Sequence, residues 1–210
     1  MPEAKKEALV ELLTRHGVAL IEDDVYGELY FGANRPRPAK AFDREGVVMH
    51  CSSFSKTLAP GYRVGWVAAG RYTRAIMRNK LTTSLATAAP TQAAIAAYLS
   101  QGGYDRHLRQ FRQTLALQQG EMLQAVARYF PKGTRATRPL GGYFTWVELP
   151  ARIDTLRLHR AALDHGISIA PGPLFSSSGA FGNYLRLNCG HPWSDAMEQG
   201  MATLGKLMAT

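Results

Sequence analysis

The sequence predicts an α/β domain followed by a small α+β domain, and two patterns indicate this. In the first half, short apolar runs typical of buried strands alternate with segments of helical periodicity. After a long helical segment, strands of alternating polarity combine with two shorter helices. We expect residues 1–132 to form the larger domain, including the long connector helix, and residues 133–210 to form the small one.

The elements of the larger domain follow from apolar spacing and from the residues that interrupt it. Three strands are expected, near residues 17–22, 46–51 and 64–69. Four helices are expected, over residues 5–16, 71–81, 91–100 and 104–130. Pro90 introduces the third helix, and Gly102-Gly103 separates it from the fourth, which Pro131 ends.

The small domain is predicted from alternation and from turn residues. Residues 143–149 alternate between the two faces of a half-buried strand, and further strands are expected near Ser168 and Leu185. Helices are expected over residues 155–165 and from Ser194 onward. Such a mixture is typical of an α+β domain.

Composition excludes several classes of protein. A hydrophobic fraction of 46% over 210 residues supports a substantial core. No segment reaches the roughly 20 apolar residues of a membrane span, and the first residues lack the apolar core of a signal peptide. The two cysteines and the spacing of the six histidines indicate neither a disulfide framework nor a metal site. We therefore expect a cytoplasmic protein without bound metal and without membrane contact.

The segment around Lys56 carries the most chemistry. It offers an amine (Lys56), two hydroxyls (Ser53 and Ser55) and a guanidinium (Arg63) in the connection between two predicted strands. Lysine forms Schiff bases with carbonyl cofactors, while hydroxyls and an arginine suit a phosphate. Taken alone, a lysine in such a serine-rich loop is more often a solvated surface residue. Its place at the end of a strand, where α/β sheets bind ligands, favours a site for a phosphorylated aldehyde.

Three motifs resemble those of the fold-type I proteins that bind pyridoxal phosphate (PLP), and among them the class I aminotransferases. They occur along the chain in the same order as in that family. Residues 53–66 (SFSKTLAPGYRVGW) resemble the family's lysine motif, and residues 21–29 (IEDDVYGEL) resemble its D-x-x-Y element. Residues 183–188 (NYLRLN) resemble its carboxylate-binding arginine segment. The resemblance covers nearly the whole chain and implies that the larger domain is part of a fold-type I PLP-binding domain.

The resemblance also implies a role for each matching residue. Lys56 would hold PLP as a Schiff base and be the catalytic residue, and Arg186 would bind the substrate carboxylate. Asp23, rather than Asp24, would keep the pyridine nitrogen protonated, and Tyr26 would bond the ring oxygen. The expected cofactor-binding residues are thus Asp23, Tyr26, Ser53, Ser55, Lys56 and Arg63.

Family elements that precede the aspartate strand do not occur in this sequence: an Asn-Pro-x-Gly element, a glycine-rich phosphate loop and a ring-stacking aromatic residue. The resemblance therefore implies the C-terminal part of a longer polypeptide. We expect the chain alone to bind PLP weakly and to lack measurable transaminase activity. We also expect a homodimer or higher association through the exposed sheet edge near the aspartate strand or the 64–69 strand.

The net charge of +9 lies mainly between residues 60 and 140, a region whose only acids are Asp105 and Glu121. Arginines at helical spacing form two stripes there, at 71, 74 and 78 and at 106, 109 and 112. Such stripes are usually solvated faces; the alternative is a surface for a polyanion. The segment shows no helix-turn-helix or winged-helix pattern, so we expect no specific base recognition by it.

Residues 35–43, 102–109 and 185–190 resemble bacterial GntR-type transcriptional regulators of the MocR subfamily. Those proteins join an N-terminal winged helix to an aminotransferase-like domain that senses an amino acid or amine effector through PLP. DNA would then be bound through that winged helix, which this sequence lacks, aided by the basic 60–140 region. The alternatives are a stand-alone class I aminotransferase acting on amino acids and 2-oxo acids, and a degenerate PLP-binding module.

Overall fold

The computed structural model describes residues 1–209, which form two compact units. The first is Met1–Phe111, and the second begins at Arg112. The first unit contains helices α1 (Glu3–Arg15), α2 (Thr73–Thr83) and α3 (Ala89–Ser100), and strands β1 (Leu20–Asp23), β2 (Val48–Ser53) and β3 (Gly65–Ala68). Helix α4 (Gly103–Tyr129) begins in the first unit and ends in the second.

The remaining elements belong to the second unit. Its strands are β4 (Arg135–Ala136), β5 (Phe144–Glu148), β6 (Ala170–Pro171) and β7 (Tyr184–Asn188). Its helices are the end of α4, α5 (Thr155–Leu163) and α6 (Asp195–Leu207). Four 3-10 turns occur in the described chain, at Ala39–Phe42, Pro60–Tyr62, Gly70–Tyr72 and Gly172–Phe175.

The first unit is built on a three-stranded sheet of order β1-β2-β3. Strand β1 runs parallel to β2, with Asp23 opposite Cys51, and β3 runs antiparallel to β2. One face of the sheet is covered, because Val10 of α1 packs against Val47 and Val48. The opposite face is open to solvent: Ile21 is 70% exposed and Val67 40% exposed. Asp23 and Ser53 therefore end neighbouring parallel strands at one edge of the sheet.

The second unit has an antiparallel sheet of order β4-β5-β7-β6. Alternate residues of β5 and β7, including Val147, Leu185 and Leu187, are buried in a core shared with α4, α5 and α6. Ser194 caps α6 by accepting a hydrogen bond from the Met197 amide, and Asp154 caps α5 in the same way. The other face of this sheet carries Trp146 and Arg186, which lie opposite each other on β5 and β7.

The α/β fold class predicted from the sequence is confirmed, with each predicted helix and strand present to within a few residues. Strand β4 was not predicted, because two paired residues leave no periodic pattern. The division into compact units falls inside α4, and the predicted domain boundary at residues 132/133 stays a prediction. None of the helices in residues 1–209 has both the length and the apolar character of a membrane span.

Candidate functional site

Lys56 lies in the loop between β2 and β3. The loop folds back on itself directly after β2, where the amides of Leu58 and Ala59 both donate to the carbonyl oxygen of Phe54, at 2.9 and 3.0 Å. This turn encloses Lys56 and leaves its side chain exposed. Lys56 is thus an exposed residue of a turn that two backbone hydrogen bonds close.

Ser53, Ser55 and Arg63 come together beside this turn. Ser53 Oγ lies 3.0 Å from Ser55 Oγ, accepts a hydrogen bond from the Ser55 amide at 3.1 Å and donates to the Val64 carbonyl at 3.0 Å. The guanidinium of Arg63 donates to Ser55 Oγ at 3.2 Å through Nη1. One guanidinium and two hydroxyls therefore converge on a small volume, which is the donor set that a phosphate needs.

Arg63 is oriented by an unusual backbone conformation. It ends the 3-10 turn Pro60–Tyr62 in the left-handed region, with φ 53° and ψ 40°. Its guanidinium contacts neutral oxygens, those of Ser55 and of the Pro60 carbonyl, and makes no ion pair with a carboxylate within residues 1–209. An arginine held in this way keeps its charge available for an anion.

Gly65 lets β3 approach β2 closely next to this cluster. Gly65 pairs with Ser53, and a Cβ atom at position 65 would lie 2.8 Å from the Ser52 carbonyl oxygen. Any larger residue would push β3 away from Ser53. The glycine therefore lets the strand that follows Arg63 lie close to Ser53.

The two neighbouring aspartates, Asp23 and Asp24, have different surroundings. Asp24 forms an ion pair with Arg35, 2.6 Å from Oδ2 to Nη2, and burial raises its pKa despite that charge. Asp23 ends β1, is exposed, and accepts one hydrogen bond from the Val25 amide at 3.3 Å. Among the described residues, Asp23 makes no ion pair, so it is the aspartate with a carboxylate available to a ligand.

Tyr26 lies in the turn that follows β1 and is exposed. The turn is defined by the Gly27 amide, which donates to the Asp24 carbonyl, and by the Leu29 amide, which donates to the Tyr26 carbonyl. The structure thus places Asp23 and Tyr26 at the same end of the sheet as the Lys56 loop.

Arg186 belongs to the second unit and is held by two aromatic rings. Its Cζ lies 4.1 Å from the ring centroid of Phe144 and 4.4 Å from that of Phe175, within cation–π range of both. No carboxylate forms an ion pair with Arg186 within residues 1–209. The rings fix the plane of the guanidinium while leaving its N–H groups without an acidic partner, which is the state needed to bind a carboxylate.

Behind the aspartates lies a buried polar network that sequence reasoning missed. His50 is buried, and its Nδ1 lies 2.9 Å from Oε2 of Glu22. Burial opposes ionisation of Glu22, but hydrogen bonds from the Ala39 amide, from His50 and from the Lys40 amide outweigh it and lower its pKa. A glutamate at the end of an apolar strand was the available signal, because a partly buried carboxylate needs partners.

The residues present fit PLP. The anion cradle of Ser53, Ser55 and Arg63, the amine of Lys56 and the exposed carboxylate of Asp23 match the phosphate, the aldehyde and the pyridine nitrogen of that cofactor. All of these groups belong to the first unit. A grouping of His, Cys, Asp or Glu side chains that could hold a metal ion does not occur in residues 1–209.

Comparisons with known proteins identify the family of the chain. The chain matches the family model "Aminotransferase class I and II" over residues 1–201. It is 48% identical, over 97% of its length, to the uncharacterized HTH-type transcriptional regulator YdcR of Escherichia coli strain K12. It is 40% identical, over 98% of its length, to YjiR, an uncharacterized regulator of the same type and strain. The chain covers 44% of each of these relatives, and so spans less than half of their length.

Among solved structures, the fold is similar to that of LysN, an α-aminoadipate aminotransferase from Thermus thermophilus whose crystal structure is a complex with N-(5'-phosphopyridoxyl)-L-leucine. The TM-score is 0.91 at 31% identity, over 99% of this chain and 54% of LysN. The predicted fold-type I architecture and the similarity to bacterial regulators are thereby confirmed, and family membership supports PLP as the cofactor. The chain belongs to the class I and II aminotransferase family.

Proposed function

We propose that the chain is the PLP-binding, effector-sensing part of a GntR/MocR-type transcriptional regulator. The observation that carries the proposal is the anion cradle of Ser53, Ser55 and Arg63 directly beside Lys56. The similarity to YdcR and YjiR over nearly the whole chain favours a regulator over an enzyme. The effector would be an amino acid or another amine.

Each predicted site residue has a defined task in this proposal. Lys56 supplies the amine that attaches the cofactor covalently, and Arg63 with the two serines binds its phosphate. When bound, PLP supplies an electron sink whose pyridine nitrogen must stay protonated, and Asp23 supplies the anion for that proton. Tyr26 supplies a phenol hydroxyl for the ring oxygen.

Arg186 is proposed to bind the carboxylate of the effector. Its planar guanidinium can donate two parallel hydrogen bonds to a carboxylate, and the rings of Phe144 and Phe175 hold that plane in place. A lysine at this position would supply charge without the bidentate geometry. The effector class that fits best therefore carries both an amine and a carboxylate.

The second candidate function is transamination between an amino acid and a 2-oxo acid. It is favoured by the similarity to LysN, which covers 99% of this chain, compared with 97% for YdcR and 98% for YjiR. The same lysine serves either an enzyme or a sensor, so the site chemistry alone does not separate the two.

Association is also part of the proposal. The four residues of β3 are exposed, and the open face of the same sheet includes Ile21 and Val67. An exposed edge and apolar face of this kind are usually covered by another chain or segment. We propose a homodimer whose interface includes this sheet. We also propose that DNA is bound through a helix-turn-helix module, as the names of the related regulators indicate for those proteins.

The first experiment tests the lysine. The full-length protein is incubated with PLP, and the visible absorbance band that marks covalent attachment is recorded. Lys56→Ala should abolish the band, whereas Lys80→Ala on the exposed helix α2 should leave it intact. A band that persists in Lys56→Ala would refute the assignment.

The second experiment separates regulator from enzyme. Binding to the DNA upstream of its own gene is measured with and without PLP, and turnover is measured with common amino donors and 2-oxo acids. A regulator should bind the DNA and show little turnover. Ready turnover without DNA binding would establish the aminotransferase instead.

A further inference from the structure

The residue that follows Lys56 is anchored to helix α4. Thr57 is buried, with 3% of its surface exposed. The hydroxyl of Tyr104 donates to Thr57 Oγ1 at 2.9 Å, and Nε2 of His107 lies 2.7 Å from the Thr57 carbonyl oxygen. Because a carbonyl only accepts, Nε2 of His107 must carry the proton in this contact. Both the side chain and the backbone of Thr57 are therefore held by α4.

The residue two positions before Lys56 contacts the same helix. The rings of Phe54 and Tyr104 meet edge to face, with centroids 6.1 Å apart. Tyr104 in turn stacks with His107 at 6.5 Å, and His107 stacks with Phe111 at 5.4 Å. Tyr104 and His107 are three residues apart and share one face of α4. The turn enclosing Lys56 thus contacts α4 on both sides of the lysine, through Phe54 and through Thr57.

We propose that Tyr104 and His107 are positioning residues that fix Lys56 for attachment of the cofactor. The inference rests on the proposed function, because it concerns the amine that binds PLP. Lysine has a long flexible side chain, so the position of its amine depends on how firmly its backbone is held. Holding a reacting group in place before the reaction removes entropy that attachment would otherwise cost. The proposal also gives a role to Tyr104 and His107, two residues of the 102–109 segment that take no part in the anion cradle.

The test compares the PLP affinity of matched variants of the full-length protein. Tyr104→Phe removes only the hydroxyl bonded to Thr57, and His107→Phe keeps a ring while removing the donor. Tyr98→Phe on α3 is the control, because it removes a phenol hydroxyl that is not bonded to Thr57. We expect each of the first two variants to weaken covalent PLP binding roughly fivefold, as for one neutral hydrogen bond, and the control to match the unmodified protein.

A double-mutant cycle separates positioning from general stability. In the Lys56→Ala background no covalent attachment is possible, and residual PLP affinity should be the same with or without Tyr104→Phe. An equal loss in both backgrounds would mean that Tyr104 only supports the fold, and would overturn the inference.

A second readout needs no cofactor. Hydrogen exchange of the Leu58 and Ala59 amides, which close the turn around Lys56, should be faster in Tyr104→Phe and His107→Phe than in Tyr98→Phe. If the unmodified protein gains no absorbance band with PLP, the proposed function fails. If the band forms normally in all variants and exchange is unchanged, only the positioning role is refuted.

Discussion

The aromatic rings around Arg186 allow a controlled test of carboxylate recognition. Phe175 and Phe181 are closely matched: they are 41% and 44% exposed, and both meet the ring of Trp146 edge to face, at 5.5 and 5.7 Å. Only Phe175 also contacts the guanidinium of Arg186. Phe175→Leu should therefore disturb Arg186, while Phe181→Leu makes the same chemical change without that contact.

The expected magnitude follows from the two cation–π contacts. A half-buried arginine over a ring at this distance gains about 1 kcal/mol, which is roughly fivefold in an equilibrium constant. Phe144→Leu, which removes the 4.1 Å contact, should cost about as much as Phe175→Leu. The double variant should fall short of the product of the two effects, because both rings act on one guanidinium.

The assay isolates the contribution of the ligand's carboxylate to its affinity. The affinities of L-leucine and of 3-methylbutylamine, which is leucine without its carboxylate, are measured through the change in the PLP absorbance spectrum. The ratio of the two affinities should fall roughly fivefold in Phe144→Leu and Phe175→Leu and stay constant in Phe181→Leu. An unchanged ratio in the first two variants, or an equal fall in Phe181→Leu, would refute the role given to the rings.

Two further predictions concern the sheet of the first unit. Because the pKa of Glu22 is lowered in the folded protein, its contribution to stability is complete above its ordinary pKa of 4.5 and is lost as pH falls through the lower folded value; the raised pKa of Asp24 acts in the opposite sense. Denaturant unfolding at pH 7 and at acidic pH should therefore show a smaller loss on acidification in Glu22→Gln than in the exposed control Glu11→Gln. Equal losses would contradict the lowered pKa that the contacts of Glu22 with the Ala39 amide, His50 and the Lys40 amide produce. Gly65→Ala should destabilise the chain by about 1–3 kcal/mol, because its Cβ would lie 2.8 Å from a carbonyl oxygen, whereas the control Gly61→Ala meets no atom within 4 Å. Thermal or denaturant unfolding measures both glycine variants, and equal stability would show that β3 does not approach β2 so closely.

The sequence predicted the parts of the site that are local in the chain. Ser53, Ser55 and Arg63 lie within eleven residues, from the end of β2 into the following loop, so their types and spacing predicted an anion cradle, and the structure brings the three side chains into contact. The choice of Asp23 over Asp24 came from family resemblance, and the structure adds a physical reason, since Arg35 pairs with Asp24.

Contacts between distant segments could not be predicted in the same way. The bond from Tyr104 to Thr57 spans 47 residues, and the pairing of His50 with Glu22 depends on strand register. The rings that hold Arg186 come from β5 and from the 3-10 turn Gly172–Phe175, which only the folded sheet brings together. Apolar periodicity predicts elements, but it carries no information on which polar side chains meet across them.

The left-handed backbone of Arg63 places stability and function in opposition at one residue. An arginine with φ 53° costs about 1 kcal/mol or more relative to glycine, which adopts this conformation freely. Arg63→Gly should therefore raise the midpoint of unfolding of the cofactor-free protein while weakening its affinity for PLP. Stability of the fold alone would favour glycine here, so under the proposed function the protein gives up stability at Arg63 to keep a positive charge for the phosphate.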